Sequence, residues 1–325
     1  MYYYYNYLYS FNIPTMLYFQ LVIMAGTVML AYYFEYTDTF NVHVQGFFCH
    51  DSAYTKPYLG PEEASAVPPV LLYTVVAGVP SLLVSSLFTS TVRDYEKKVS
   101  MEWIKLILFL SLLSLCLFAG VYAFGLFATD IFVNAGQVVT GNLSPYFLTV
   151  CKPNYTALGC QQGVRFISQQ EACTGNGDDI LRARKSFPSK EAALSLYSAL
   201  YVAMYITCTV KAKGTRLAKP VLSLGLMCLA FLTGINRVVE YRNHWSDVIA
   251  GFIIGGAIAV FMVSVELWMD GYIRVFLTFV TGPRPETHRQ MINHTLWVSH
   301  FYLLSQYNDH DISQDDCLRY FTASV

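Results

Sequence analysis

The chain has 325 residues, of which 54% are hydrophobic and only 13% are charged. Soluble domains carry about 25% charged residues, so this composition excludes an ordinary soluble protein of the same length. The formal net charge of -1 excludes the strongly basic surface that nucleic-acid binding requires.

Six apolar windows in the sequence predict membrane-spanning helices. A helix needs about 20 apolar residues to cross a hydrocarbon core of roughly 30 Å. In chain order the windows are Met16–Phe34, Pro69–Phe88, Ile104–Ala128, Ala193–Val210, Pro220–Ile235 and Val248–Trp268. The pattern predicts an all-α membrane protein with six transmembrane helices. The first helix is expected to be an uncleaved anchor, because no basic region precedes it.

The charges of the links predict how these helices are oriented. The link between the second and third windows and the link Lys211–Lys219 are short and carry lysine and arginine. Short cationic links lie on the cytoplasmic side of a membrane, so residues 1–15 and the tail 269–325 are expected there too. The domain of residues 16–268 then presents three exoplasmic loops, at residues 35–68, 132–192 and 236–247.

Four of the eight cysteines fall in these exoplasmic loops, and they are Cys49, Cys151, Cys160 and Cys173. The exoplasmic side is oxidising, and four cysteines allow two disulfides in three possible connectivities. We therefore expect disulfide pairing there. The alternative is that the four are unpaired, small apolar residues.

Glycosylation is predicted at Asn154, whose sequon Asn-Tyr-Thr lies in the long exoplasmic loop. The sequon at Asn142 is weakened by the Pro145 that follows it. The sequon at Asn293 lies in the predicted cytoplasmic tail and is not expected to be used.

Two patterns in the predicted helices have more than one interpretation. Gly251 and Gly255 form a GxxxG pattern, which predicts close helix packing within the bundle or between copies of the chain. Asp130 is a carboxylate near the end of the third window. An intramembrane carboxylate indicates a functional site by default, and capping or snorkelling at the interface is the alternative.

Three polar stretches lie at the mouths of the predicted helices on the exoplasmic side, beginning at Lys152, Ser186 and Asn236. Ordinary loops need no such concentration of polar residues. A phosphate pocket does, because it requires cations to hold oxygens, a nucleophile, a proton donor and a carboxylate that orients the nucleophile. The stretches therefore predict a pocket of this kind.

In these stretches the chain resembles the type 2 phosphatidic acid phosphatase superfamily, over about residues 16–268. The motifs of that family read Lys-x6-Arg-Pro, Pro-Ser-Gly-His and Ser-Arg-x5-His-x3-Asp. The segment Tyr-Arg-Asn-His-Trp-Ser-Asp, which ends at Asp247, resembles the third motif. The segments that begin at Ala25, Phe127 and Phe187 resemble the phospholipid phosphatase-related proteins, also called the plasticity-related proteins of neurons.

The resemblance places the first phosphate-holding lysine at Lys152. The arginine that follows seven residues later in the family is Gly159 here, and the proline is Cys160. Glycine lacks the guanidinium fork that would hold two phosphate oxygens. The resemblance thus implies a weakened pocket.

The second motif falls at the start of the fourth predicted helix. Ser189 is retained, while Lys190 replaces the glycine and Glu191 replaces the proton-donating histidine. An ionised glutamate about 5 Å from a phosphate costs roughly 3 kcal/mol per pair of unit charges at an effective dielectric constant of about 20. Because unpaired charges in a partly dry cavity are costly, we expect Glu191 to pair with Arg237 or Lys152 and to fill the space of a phosphate.

The third motif retains Arg237 and Asp247, but Asn243 stands in place of the nucleophilic histidine. An amide has no lone-pair nitrogen that can attack phosphorus, so no phosphohistidine forms there. The adjacent His244 is an alternative nucleophile. On a helix it would be turned by about 100° from the line that Asn243 shares with Asp247, so we expect a packed or water-bonded side chain.

The resemblance implies a catalytically inactive member of the superfamily that uses no metal or other cofactor. The implied partners are membrane lipids such as lysophosphatidate-type lipid phosphates, cytoplasmic proteins, and copies of itself or of family members in homo- or hetero-oligomers. The resemblance also implies a plasma-membrane location and roles in lipid phosphate signalling, neurite outgrowth and filopodia.

Two alternative functions are weighed against this one. The first is a working lipid phosphatase that acts on phosphatidate or lysophosphatidate at the exoplasmic face. The second is a transporter or channel, which would need broken helices and ionisable residues at the bilayer midplane. No window has a charge near its middle, which argues against transport.

Overall fold

The computed structural model describes residues 13–36, 41–61, 64–96, 101–160, 165–168, 172–209 and 217–281. Within these ranges the helices are α1 (Ile13–Tyr36), α2 (Pro69–Glu96), α3 (Met101–Thr140), α4 (Phe147–Cys151), α5 (Gly177–Ala183), α6 (Lys190–Thr209), α7 (Ala218–Val239) and α8 (Trp245–Thr281). Two short strands, β1 (Phe47–Phe48) and β2 (Phe166–Ile167), pair antiparallel with Phe47 opposite Ile167.

All six predicted windows form long helices, and only Val210 at the end of the fourth window lies outside the described residues. In an apolar environment the backbone must satisfy its own hydrogen bonds, and a helix does so within one segment. Among the described residues three helical segments are long and apolar enough to cross a membrane, and they are Ala119–Thr140, Pro220–Val239 and Trp245–Val265. Within α2, the segment Pro69–Leu82 is a shorter apolar stretch. The count of six spans stays a prediction.

Several predictions concern residues outside the described ranges. These residues include the links at 97–100 and 210–216, the N-terminal residues 1–12, and the tail from residue 282 onward with its sequon at Asn293. The orientation of the termini therefore stays a prediction, as do the domain boundaries.

The core of the helix bundle is built around α6, which packs against α3, α7 and α8. Three tyrosines on one side of α6, Tyr197, Tyr201 and Tyr205, are almost fully buried. The phenol of Tyr122 on α3 donates to the carbonyl of Val76 on α2 at 2.7 Å and lies 2.8 Å from Ser198 Oγ. Buried hydroxyls that find partners in this way join α2, α3 and α6.

The GxxxG pattern brings α8 against the start of α6. A Cβ atom on Gly251 would crowd the backbone oxygen of Ser189, and one on Gly255 would overlap the backbone oxygen of Ala193. Only glycine allows the two backbones to approach this closely. Of the two interpretations of the pattern, the structure uses the glycines for packing within the chain.

A second core lies in the segments between the long helices, and we call this region the cap (described residues 41–61, 64–68, 141–160, 165–168 and 172–187). Phe47, Leu143 and Phe147 are buried in it beside the cysteines. The structure joins Cys49 to Cys160 and Cys151 to Cys173, which is one of the three connectivities open to the sequence. The first bond links segments 111 residues apart.

The cap is also tied to the end of α7. The carboxylate of Glu240 accepts hydrogen bonds from Ser65 Oγ at 2.6 Å, from Ala66 N at 2.8 Å and from Arg242 Nε at 3.1 Å. The Arg242 guanidinium also donates to the carbonyl of Pro61 at 3.1 Å. Burial alone would raise the pKa of Glu240, but these donors outweigh it and hold the pKa below its usual value.

Candidate functional site

A cavity of about 420 Å³ lies where α1, α3, α6 and α7 meet the cap. The charged side chains that line it are Glu35, Asp178, Arg182, Lys185, Lys190, Glu191, Arg237 and Arg242. Such a concentration of charge around a cavity points to a polar or ionic ligand rather than an apolar one.

Helix ends deliver the central residues to this cavity. Glu191 lies in the first turn of α6, Arg237 in the last turn of α7 and Asp247 in the first turn of α8. Carboxylates are stabilised at helix N-termini and cations at C-termini, because the helix dipole favours them there. The sequence therefore places each charge at an end that suits its sign.

The inner site is the hydrogen-bonded group formed by Ser186, Glu191, Arg237, Asn243 and Asp247. Arg237 Nε lies 3.3 Å from Glu191 Oε2 and donates to Asn243 Oδ1 at 3.0 Å. All five residues are less than 10% exposed. The expected pairing of Glu191 is thus made with Arg237 and not with Lys152.

The amide of Asn243 is held at both ends. Its oxygen accepts from Arg237, and its nitrogen donates to the carbonyl of Ser186 at 2.7 Å. An amide nitrogen that donates in this way has no lone pair available to attack phosphorus. The position can therefore organise the site but cannot act as a nucleophile.

Asp247 is fully buried and orients several neighbours. Its carboxylate accepts from the hydroxyl of Ser186, from the backbone N–H of His244 at 3.0 Å and from Asn142 Nδ2 at 3.4 Å. Its own backbone carbonyl accepts from Ser189 N at 3.0 Å. Asn142 thus contributes a hydrogen bond to the inner site. Leu143 and Ser144, which follow it in its weak sequon, are buried.

His244 does not lie on a helix, so the helical rotation that separates it from Asn243 does not apply here. The backbone N–H groups of Arg242 and Asn243 both donate to the carbonyl of Arg237, which forms a tight turn before α8 begins at Trp245. His244 Nδ1 lies 3.4 Å from Asp247 Oδ2, and its side chain is 30% exposed. The ring packs edge-on against Tyr54 and does not line the cavity.

A second ionic group, which we call the Lys190 cluster, joins α1, α3 and α6. Lys190 Nζ lies 2.6 Å from Glu35 Oε2 and 2.8 Å from Asp130 Oδ1. Asn134 Nδ2 donates to both carboxylates, at 3.0 and 3.2 Å. Asp130 is therefore part of an ion-pair network, which neither interpretation from the sequence anticipated.

Burial and charge act against each other in the Lys190 cluster. Burial alone would lower the pKa of Lys190, but the neighbouring Tyr73 and the carboxylates of Asp130 and Glu35 outweigh it and raise the pKa. Burial alone would raise the pKa of Glu35, but the charge and hydrogen bond of Lys190 hold the pKa below its usual value. Both groups are therefore ionised at neutral pH.

The first motif was assigned to the wrong residues. Lys152 is exposed, and Gly159 is exposed as well. The disulfide at Cys151 and the left-handed backbone of Lys152, with φ of 46°, turn this lysine away from the cavity. Cys160, which stood at the proline of the motif, is bonded to Cys49.

Two residues that the sequence analysis missed take this place in the cavity wall, Gln137 and Ser144. They are separated by six residues, and Pro145 follows, which is the spacing of the family motif Lys-x6-Arg-Pro. Gln137 donates to the carbonyl of Pro188 at 3.0 Å. The sequence did contain a signal for these two residues, which is the six-residue spacing with a proline directly after it. The signal was hidden because glutamine and serine stand where the motif has lysine and arginine.

The remaining predicted sites are placed as follows. Asn154 is exposed, and its side-chain oxygen accepts from the backbone of Ala157 at 3.2 Å. Ser189 is buried, with Oγ 3.5 Å from Glu191 Oε2. Among the described residues no group of three or more His, Cys, Asp or Glu side chains could hold a metal ion.

Comparison with known proteins identifies relatives of the chain. Residues 118–269 match the PAP2 superfamily. The chain is 69% identical over 259 residues to phospholipid phosphatase-related protein type 5 of Mus musculus, an alignment covering 77% of this chain and 81% of that protein. It is 68% identical over 257 residues to the type 5 protein of Homo sapiens, covering 77% and 80%. It is 58% identical over 261 residues to the type 1 protein of Danio rerio, covering 77% and 78%. No solved structure matches the chain.

Proposed function

The chain belongs to the phospholipid phosphatase-related proteins of the PAP2 superfamily, and on that premise we propose that it is a membrane protein that keeps the phosphatase scaffold without releasing phosphate. It acts through lipid and protein contacts at the plasma membrane. It modulates lipid phosphate signalling and promotes neurite and filopodia outgrowth. Its bundle has six spans with both termini in the cytoplasm, and its cap faces the exoplasmic side.

The observation that carries the proposal is the state of Asn243. A phosphatase of this superfamily needs a nucleophilic nitrogen at this position, and the amide offers none. Its two ends are engaged by Arg237 and by the Ser186 carbonyl. Catalytic sets act as units, so the retained Asp247 does not restore what Asn243 lacks.

Glu191 supports the same conclusion from the other side of the inner site. Its carboxylate lies 3.3 Å from Arg237 Nε and forms an ion pair with the guanidinium that would otherwise bind phosphate oxygens. A phosphate about 5 Å from this carboxylate would be repelled by roughly 3 kcal/mol per pair of unit charges at an effective dielectric constant of about 20. The inner site is thus closed to a phosphate group by its own side chains.

A phosphatase assay on the purified full-length protein tests the proposal. We expect no turnover of lysophosphatidate by the unaltered chain. We expect activity only after the motif residues are restored together, in the variant Gln137→Lys, Ser144→Arg, Glu191→His, Asn243→His. The matched control keeps the last two changes but carries Gly159→Arg, and it is expected to stay inactive. Turnover by the unaltered chain would refute the proposal.

A working lipid phosphatase is the second candidate, because His244 Nδ1 lies 3.4 Å from the buried carboxylate of Asp247. A histidine beside a carboxylate is the arrangement that activates a nucleophile. This candidate predicts phosphate release that His244→Ala abolishes. The proposal predicts that His244→Ala leaves the assay unchanged at background.

A further inference from the structure

Two exposed apolar stripes run along the outside of the bundle and end next to the cap. On α8 the exposed side chains of Trp245, Ile249 and Ile253 lie four residues apart. On α7 the exposed side chains of Ile235 and Val239 have the same spacing. Residues four apart lie on one face of a helix. Both stripes belong to segments that are long and apolar enough to cross a membrane, so they suit contact with lipid chains.

Aromatic residues stand at the cap end of both stripes. Trp245 is the first residue of α8 and is 61% exposed. Tyr241 lies in the turn between α7 and α8 and is 40% exposed. Tryptophan and tyrosine are enriched where a membrane meets water, because their rings are apolar and carry a polar group. The stripes therefore change from aliphatic to aromatic where the two apolar segments end.

The backbone of Tyr241 gives a second reason to ask what its ring contacts. Its φ of 55° lies in the left-handed region, where glycine and asparagine are favoured and a bulky residue is uncommon. Because the ring is exposed, burial within the protein does not account for a tyrosine at this position. A contact outside the protein does.

The first segment of the cap lies against the same turn. Arg242 of the turn donates to the carbonyl of Pro61 at 3.1 Å. Lys56 Nζ lies 5.8 Å from the centre of the Tyr241 ring, which is a cation–π distance. Leu59 of this segment is 56% exposed. The cap thus adds a cation and an apolar side chain at the end of the stripes.

We propose an interfacial patch that docks on the lipid leaflet next to the cap, formed by Lys56, Leu59, Tyr241 and Trp245. The patch continues the two apolar stripes, and this continuity favours a lipid leaflet over a soluble partner as its occupant. The two rings lie at the level of the lipid head groups, where Lys56 keeps its charge in water. The anchored turn also carries Asn243, so the patch holds the inner site at this level.

Depth-dependent fluorescence quenching tests the patch in the purified full-length protein, reconstituted in phosphatidylcholine nanodiscs. The changes Trp103→Phe, Trp268→Phe and Trp297→Phe leave Trp245 as the single tryptophan of the chain. Phosphatidylcholine brominated on the upper part of its acyl chains should quench this tryptophan at least about twofold more strongly than lipid brominated near the chain ends.

Matched variants carry the single tryptophan at other positions, in the same background with Trp245→Phe. Ile253→Trp places it on the same stripe about 12 Å deeper, at 1.5 Å per residue, so lipid brominated near the chain ends should quench it more strongly. Leu59→Trp should respond as the native Trp245 does. Phe166→Trp, at an exposed position of β2 in the cap, should be quenched by aqueous acrylamide and by neither lipid.

Four results would overturn the patch. Acrylamide quenching of Trp245 as strong as that of Phe166→Trp would place the ring in water. Quenching by neither acrylamide nor lipid would place it under a second copy of the chain or another protein. A response equal to that of Ile253→Trp would place it in the hydrocarbon core. Acrylamide quenching of Leu59→Trp without lipid quenching would show that the cap does not reach the leaflet.

The quenching experiment and the phosphatase assay fail independently. Turnover of lysophosphatidate by the unaltered chain would refute catalytic inactivity and leave the position of Trp245 in the membrane unchanged. A tryptophan in water would overturn the patch and leave the chemistry of Asn243 unchanged.

Discussion

Lys190 and Glu191 are neighbours in the sequence, yet they belong to two different ionic groups. Lys190 reaches across to α1 and α3, where it meets Glu35 and Asp130. Glu191 turns the other way, into the inner site, and meets Arg237 of α7. Successive residues of a helix point about 100° apart. The opposite charges of Lys190 and Glu191 are therefore adjacent in the sequence but do not pair with each other.

The two groups differ in what they do for the molecule. The Lys190 cluster joins α1, α3 and α6, so it holds three helices of the bundle together. The Glu191 pair lies in the inner site and lines the cavity, so under the proposed function it affects what the cavity can bind. Lys190 and Glu191 are adjacent, so neighbouring positions of one motif contact different parts of the protein, and we expect one to affect stability and the other to affect binding in the cavity.

Removal of Lys190 should have the largest effect on stability. Lys190→Met leaves the carboxylates of Asp130 and Glu35 together without their cation, and breaking a buried ion pair from one side costs about 3 kcal/mol or more. We expect a lower free energy of unfolding in nanodiscs or mild detergent. Lys152→Met is the matched control, because that lysine is exposed. Equal stability of the two variants would show that the cluster does not hold the bundle.

Neutralisation of Glu191 should have a smaller effect on stability. Glu191→Gln keeps the shape and an acceptor for Arg237, so the expected loss of stability is about 1 kcal/mol, the scale of one hydrogen bond. The same change removes the negative charge that repels phosphate. Binding of inorganic phosphate or vanadate should therefore strengthen, while Glu35→Gln should not produce this gain. A larger stability loss than that of Lys190→Met would reverse the comparison.

The pH dependence of the Lys190 cluster should give the smallest effect. The pKa of Glu35 is held below its usual value of 4.5, so its contribution to stability is fully present above that value. The contribution is lost as the pH falls through the lower pKa of the folded state. Because the side chain is 40% exposed, the loss is a few tenths of a kcal/mol.

This pH effect is measured from the unfolding free energy at about pH 6 and about pH 3, in the unaltered chain and in Glu35→Gln. The variant should lose less stability across this interval. Identical losses would mean that Glu35 is not held by Lys190 in the folded protein.

The helices were predictable because their signal is local. A run of about 20 apolar residues predicts a helix from its own composition, and each predicted window lies in a helix of the structure. The residues Glu191, Asn243 and Asp247 were also found from local motifs. That Glu191 pairs with a cation followed from its charge, since a buried carboxylate needs one, but the choice of Arg237 over Lys152 did not.

The errors share a different physical cause. Lys152 was chosen because lysine holds phosphate, but a disulfide and a left-handed turn direct it to solvent. His244 was weighed against Asn243 for the case of a helix, but two backbone hydrogen bonds to Arg237 make that segment a turn. In both cases the backbone conformation, and not the side-chain type, determines where the side chain lies.

The amino-acid sequence by itself determined the helices and the presence at Asn243 of an amide, which offers no nucleophilic nitrogen. Composition and residue chemistry act locally, so they can be read along the chain. Only the tertiary structure decided that Lys190 meets Glu35, which lies 155 residues away, and which cysteines pair. Those contacts depend on which surfaces come together when the helices pack. A local sequence pattern does not specify contacts between residues that are far apart in the chain.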